Sequence, residues 1–160
     1  MKIKALLIED FTDYKLPSMF IGTCYCTWKC CYEANISPSI CQNHVIAQEP
    51  IIDLFNFQLY NKYINNPITQ SIVIGGLEPM LQFGEVYDLI KYFRDNSCDD
   101  IFVIYTGYYP NEIEEELNKL KELNNIIVKF GRFIPDRPHR YDEVLGVELA
   151  SDNQYAEVIC

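Results

Sequence analysis

The sequence predicts an α/β fold, a partial, open (βα) barrel built on a parallel sheet. Three observations predict it. Short, continuously apolar, β-branched runs alternate with stretches whose apolar residues recur every three or four positions. Several of those runs end in glycine or a Thr-Gly step, which marks a strand turning into a loop. The length of 160 residues has room for about four or five βα units, too few for a closed eight-stranded barrel.

Residues 2–8 read as a strand. Residues 11–23 read as loop with a short strand around Ser18–Gly22, and residues 24–43 as a long polar loop. From Pro50 the period changes: Ile52, Phe55, Leu59 and Tyr63 line one helical face, and Asn65-Asn66-Pro67 stops that helix. Ser71–Ile74 is a buried-strand run ending at Gly75-Gly76. Phe83, Val86, Ile90 and Phe93 give a second amphipathic helix, and Ile101–Tyr105 a further strand ending at Thr106-Gly107. Asn111, with Glu114 three residues on, is the expected N-cap of a third helix carrying Ile113, Leu117 and Leu120. Ile126–Phe130 is a strand ending at Gly131, and Val144–Leu149 and Tyr155–Ile159 are further strand candidates. Strands that alternate with helices make a parallel sheet, and apolar strands imply cover on both faces. In such sheets ligands gather at the carboxyl ends of the strands. The segments expected there are Gly75-Gly76-Leu77-Glu78-Pro79, Tyr105-Thr106-Gly107-Tyr108 and Gly131-Arg132-Phe133.

Composition narrows the function. The chain is 49% apolar and rich in Tyr and Phe, so it can bury a core as one domain over residues 1–160 and is not a disordered chain. The 13 basic residues stand against 23 acidic ones, a net charge of −10, which argues against a phosphate-gripping, nucleic-acid-binding surface. The apolar run Ala5–Ile8 ahead of Glu9-Asp10 is too short for a signal peptide, and no run is long enough for a membrane span. The expected compartment is therefore the cytoplasm, and no membrane partner is expected.

The cysteines carry the chemistry. There are seven, and five fall between Cys24 and Cys41. In a reducing compartment clustered cysteines point to metal or catalysis rather than to a disulfide frame, which an odd count fits poorly. Thiolates bind Zn²⁺ or the iron of Fe–S clusters. Zinc would want C-x₂-C pairs, and there are none. His44 and His139 are read as solvated residues, and Cys98 and Cys160 as small packing residues.

Cys26-x₃-Cys30, with Cys41 followed by Gln42-Asn43, resembles the C-x₃-C-x₂-C motif of the radical SAM superfamily, read here as Cys26-x₃-Cys30-x₁₀-Cys41. Cys-x-Asn commonly follows the third cysteine in the glycyl-radical activase branch. The usual third position falls on Glu33, so Cys31, Cys24 and the Glu33 carboxylate compete with Cys41 for that place. Gly75-Gly76-Leu77-Glu78-Pro79 is similar to the family's Gly-Gly-x-Pro element, with Leu77 intervening. The strand ending Tyr105-Thr106-Gly107-Tyr108, the segment Lys129-Phe130-Gly131-Arg132-Phe133 and Ser151-Asp152-Asn153-Gln154 resemble the anaerobic ribonucleoside-triphosphate reductase activating proteins. In those proteins an Asp is common where Lys129-Phe130 stand.

The resemblance implies a radical-SAM-like fold and a [4Fe–4S] cluster held by Cys26, Cys30 and Cys41, with one iron left open. It implies S-adenosylmethionine as cofactor, met by Gly75, Gly76, Glu78, Asn43, Tyr105 and Thr106, with Glu78 accepting from the methionyl ammonium. It further implies reductive cleavage of that cofactor to a 5′-deoxyadenosyl radical, which takes a hydrogen from a glycine of an anaerobic ribonucleotide reductase, with a flavodoxin or ferredoxin as electron donor. Two alternatives remain open. One is a radical SAM enzyme acting on a small molecule, like the carboxy-deazaguanine synthases, for which Arg132, Arg137, His139 and Arg140 would supply polar groups; these four are read here as a solvated basic turn. The other is a non-enzymatic Fe–S or zinc module.

Overall fold

The computed structural model describes residues 1–160. Its strands are β1 (Lys2–Ile3), β2 (Ala5–Asp10), β3 (Ser18–Gly22), β4 (Ile52–Asp53), β5 (Ser71–Gly75), β6 (Ile101–Tyr105), β7 (Ile126–Phe130), β8 (Arg140–Asp142), β9 (Val147–Leu149) and β10 (Tyr155–Val158). Its helices are α1 (Lys29–Glu33), α2 (His44–Gln48), α3 (Asn56–Ile64), α4 (Phe83–Asp95) and α5 (Glu114–Leu120).

Six strands form the central sheet in the order β10-β7-β6-β5-β3-β2. The sheet is α/β and open, with β10 and β2 as its free edges; no closed barrel forms. It is mixed rather than parallel throughout. The inner pairs β3–β5, β5–β6 and β6–β7 are parallel, whereas β2–β3 and β10–β7 are antiparallel. The reason is the connections: helices cross over between the inner strands, but only a short loop joins β2 to β3, and a short return forces antiparallel pairing.

Both faces of the sheet are covered, by different material. On one face Ile72, Ile74, Phe102, Ile104, Val128 and Phe130 meet Leu59, Val86, Ile90, Phe93, Leu117 and Leu120 of α3, α4 and α5. Phe93 anchors this core, edge-on to Phe102 and Tyr60 at 5.1 Å each. On the other face Phe20, Val73, Val103 and Ile127 lie under Tyr14 of the β2–β3 loop and under Leu145 and Leu149 of the β8–β9 hairpin. Fully burying each such side chain contributes about 1.5–3 kcal/mol.

The structure corrects several element boundaries. The first predicted strand breaks at Lys4, where the pairing partner changes from β4 for β1 to β3 for β2, and the Lys4 Nζ donates to the carbonyls of Ala47 and Glu49 at 2.5 and 2.7 Å. Ile52 sits in β4, paired with β1, and α3 starts only at Asn56, after the Gln58 side chain accepts the Phe55 N–H at 2.9 Å. Asn111 is not the cap of α5: it lies in a 3₁₀ turn, Pro110–Glu112, and the acid that reaches back is Glu112, taking the Tyr109 N–H at 2.8 Å. Residues 144–146 form a turn, with Asp142 accepting the N–H groups of Val144 and Leu145 at 3.0 Å. The stretch read as one long loop, 24–43, contains α1 and a 3₁₀ turn at Pro38–Ile40.

Candidate cluster site

The carboxyl ends of β3, β5, β6 and β7 lie side by side in the parallel part of the sheet. What the chain does immediately after each end builds the site. After β5, Gly76 turns with φ +77°, and a Cβ there would come within 3.1 Å of the Gly22 Cα. Both its conformation and its closeness to β3 require glycine. That turn delivers Glu78, which is buried. Its Oε1 accepts the Thr106 hydroxyl at 2.7 Å and the Met80 N–H at 3.0 Å, and its Oε2 accepts the Gly107 N–H at 2.9 Å. Glu78 therefore ties the end of β5 to the end of β6. Burial pushes its carboxyl above the usual range, against the pull of those three donors and of Lys129.

The same segment holds the start of the cysteine region. The Glu78 N–H donates to the Tyr25 carbonyl at 2.7 Å. The Gln82 side chain accepts the Cys24 N–H at 2.7 Å and donates to the Lys2 carbonyl at 2.8 Å. Cys26, Cys30 and Cys41 are half-buried and Cys31 is buried. Cys26 Sγ accepts the Trp28 N–H at 3.2 Å, made possible by the left-handed turn at Trp28, φ 58°. Burial pushes the Cys26 thiol up to about 11; the Trp28 N–H opposes this, and charge at Cys30, Glu78 and Cys41 adds to it. Cys31 is pushed up to about 12, by burial first and then by Cys30, Cys41 and Cys26. Burial also raises Cys41, with the Asn43 N–H opposing. The Cys30 and Cys31 sulfurs are 3.8 Å apart. Cys30 is thus a common neighbour of Cys26, Cys31 and Cys41, although no three Cys, His, Asp or Glu side chains stand in metal-ligating arrangement.

The alternatives for a third ligand are placed differently. The charges around Cys24 are those of Glu85, Lys4, Lys2 and Asp53, not of the other thiols. Glu33 is engaged by Arg132, whose Nε donates to it at 2.7 Å. Cys31 stays among the thiols with Cys41. Cys98 is buried in the helical core, and Cys160 is exposed at the far end of the chain.

A small pocket brings Cys26, Cys30, Lys29, Glu78, Gly107 and Arg132 together. Of the expected cofactor contacts, Gly75, Gly76, Glu78 and Thr106 meet at this end of the sheet. Asn43 precedes α2 and does not line the pocket. Tyr105 points its hydroxyl to the Asp13 carbonyl, on the hairpin-covered face.

Of the four residues of the basic turn, Arg137, His139 and Arg140 are exposed, but Arg132 is not. The Arg132 side chain is 12% exposed. Besides Glu33 it donates to Glu112 at 2.7 Å and stacks 4.8 Å above the Tyr109 ring. Lys29 reaches the same Glu112 at 2.6 Å. Burial alone would raise the Glu112 carboxyl; Arg132, Lys29 and the Tyr109 N–H bring it down to about 2. This network fastens α1 to the ends of β6 and β7. Sequence reasoning also missed Gln82 and Lys129. The signal for Lys129 was there, a lone cation inside an apolar strand.

The donor set fits an iron–sulfur cluster in kind. Soft thiols gather at one end of an α/β sheet, and His44 Nδ1, three residues past Cys41, is buried with no partner. Metal binding holds thiols as thiolates however high their free pKa. The class this defines is a cluster-binding domain. Residues 17–154 match the model of the 4Fe-4S single cluster domain family, and the chain belongs to that family. No curated protein and no solved structure matches the chain. No helix is long and apolar enough to cross a membrane.

Proposed function

We propose that the chain is a radical SAM activating enzyme that generates a glycyl radical on an anaerobic ribonucleotide reductase. In this reading Cys26, Cys30 and Cys41 hold a [4Fe–4S] cluster, and S-adenosylmethionine lies against Gly75, Gly76 and Glu78. When bound, the two cofactors supply one-electron cleavage of the sulfonium C–S bond and the hydrogen abstraction that follows. The single observation that carries the reading is that Glu78, delivered by the Gly-Gly turn, shares its pocket with Cys26 and Cys30.

The residues have matching tasks. A carboxylate offers about four lone-pair sites, and protein donors fill three on Glu78. The remaining one suits an ammonium group. Gly76 lets the backbone come close to a ligand. A flavodoxin or ferredoxin would supply the electron, and a cytoplasmic setting keeps the thiols reduced.

Anaerobic reconstitution is expected to give about four iron and four sulfide per chain. Reduced protein should cleave S-adenosylmethionine, and Cys26→Ala or Cys41→Ala should abolish cleavage. Mixing with an anaerobic ribonucleotide reductase should give a glycyl-radical EPR doublet. Cleavage without a doublet points to a small-molecule substrate. Bound zinc without iron overturns the reading.

One observation favours a second reading. Cys31, 3.8 Å from Cys30, offers a fourth thiolate, and a cluster with four protein ligands is an electron carrier with no open iron. Reversible one-electron cycling without cleavage of S-adenosylmethionine selects it.

A further inference from the structure

The sheet buries one cation that neither the fold nor the proposed chemistry employs. Lys129 is the fourth residue of β7, an inner strand flanked by β6 and β10, and is 7% exposed. Long lysines ordinarily run their stems along apolar surface and keep the ammonium in water. Here the β8–β9 hairpin and the β2–β3 loop cover the face on which its neighbours Tyr105 and Ile127 lie. Its Nζ donates to the Gly131 carbonyl at 3.0 Å and stands 5.9 Å from the centre of the Tyr105 ring. That carbonyl also takes the Gln154 amide at 3.1 Å. An ammonium has three donors, and this is its single hydrogen-bond partner. No carboxylate forms an ion pair with it.

A buried charge needs an opposite charge within reach or it costs several kcal/mol. The backbone places Lys129 beside the site: its carbonyl accepts the Thr106 N–H at 2.9 Å, and the Thr106 hydroxyl donates to Glu78 at 2.7 Å. The nearest opposing groups are accordingly Glu78, after β5, and the Cys30 thiol, on α1. Both belong to the cluster site. The other cations there are already balanced: Lys29 and Arg132 face Glu33 and Glu112, two against two. Lys129 alone brings an unbalanced positive charge, from beneath the sheet.

We propose that Lys129 is the internal counter-ion of the cluster site, and that its fixed charge raises the reduction potential of the cluster held there. Reduction adds an electron to a site already crowded with thiolates and a carboxylate. A cation held nearby in a poorly screened interior stabilises the reduced form more than the oxidised one, and net charge is one of the levers that set cluster potentials. Lys129 is thus a positioning residue acting through charge, not a catalytic one. The inference rests on the cluster and is independent of whether S-adenosylmethionine binds.

The test is a redox titration at fixed pH near 7, read from the EPR signal of the reduced cluster, on protein whose iron content has been measured. Lys129→Met is expected to move the potential to more negative values. Lys129→Arg should keep most of the wild-type value, and adding Glu78→Gln to Lys129→Met should move the potential part of the way back. Raising the salt concentration should leave the difference in place, since a buried charge is poorly screened. Lys91→Met, at an exposed lysine of α4, should change nothing. An unmoved potential in Lys129→Met overturns the proposal, as does an equal drop in Lys129→Arg, the mark of a packing lesion. Should Lys129→Met not fold, Lys129→Gln removes the charge and keeps a polar tip, and the same two outcomes decide. Wild-type protein that takes up no iron removes the cluster and this proposal together; a loaded cluster with an unmoved potential removes only the proposal.

Discussion

The sheet with its helices and the cysteine segment 24–48 meet at the carboxyl ends of the inner strands and are held by opposite means. The sheet is held by apolar contact: Ile72, Val73, Ile74, Phe102, Val103 and Ile104 are all fully buried. The cysteine segment buries only Cys24 and Cys31. It is tied down by polar bonds to its carbonyls, amides and charged side chains, from Lys4, Glu78, Gln82 and Arg132. The difference teaches that the platform should fold without the site, while the site should depend on the platform. Segments with few buried apolar contacts open locally at low free energy, and here the thiols sit on such a segment.

The largest expected effect tests that separation. Cys26→Ser should eliminate cluster loading, measured as iron per chain, yet leave the denaturant midpoint of the apo-protein unchanged. A large loss of apo stability would show that the two regions are one unit. Next comes Phe93→Ala in the helical core. It should destabilise the chain by about 3–5 kcal/mol in urea unfolding, far beyond Cys26→Ser, Cys30→Ser or Cys41→Ser.

A third effect concerns charge. Burial first, and Asp10 beside it, push Asp13 from 3.8 to about 6. The folded chain then keeps a proton that the unfolded chain has lost. Stability from this group is complete below pH 3.8 and disappears as the pH rises through 6. Asp13→Asn should therefore stabilise the chain at pH 7, by on the order of 2 kcal/mol, and give no gain at pH 3. Glu112, in the network that ties the cysteine segment, has the opposite sign. Brought down from 4.5 to about 2, its contribution is present above pH 4.5 and is lost as the pH falls toward 2. The smallest effect follows from it. Arg132→Gln should shift global stability by about 1 kcal/mol or less, while limited proteolysis within 24–48 becomes faster and acid sensitivity between pH 5 and 2 diminishes. Uniform proteolysis across the chain would break the comparison.

The inner strands were legible because β-branched runs such as Ile72-Val73-Ile74 have one stable use, a buried strand. Helix α4 was legible through its period. The cover on the second face was not, since Tyr14 and Leu145 meet Val103 only through pairing between distant parts of the chain. The antiparallel edges escaped for the same reason. In the site, cysteines and glycines are chemically distinctive and stood out. Arg132 and Glu112 did not, because a charged residue in a turn looks alike whether it faces water or a partner twenty residues away. The cysteine segment's short helices were invisible, since neither is long enough to show a period.

One hydrogen bond sets a rule of length for this whole end of the sheet. The Glu78 N–H grips the Tyr25 carbonyl, between Cys24 and Cys26. Adding or removing one residue in the Gly75–Glu78 turn would displace that donor by up to about 3.3–3.6 Å, more than a hydrogen bond tolerates. Leu77, buried in the turn, already occupies its share of the span. The glycine turn and the approach to Cys26 are therefore gauged against each other, and neither can be lengthened or shortened unless the other follows.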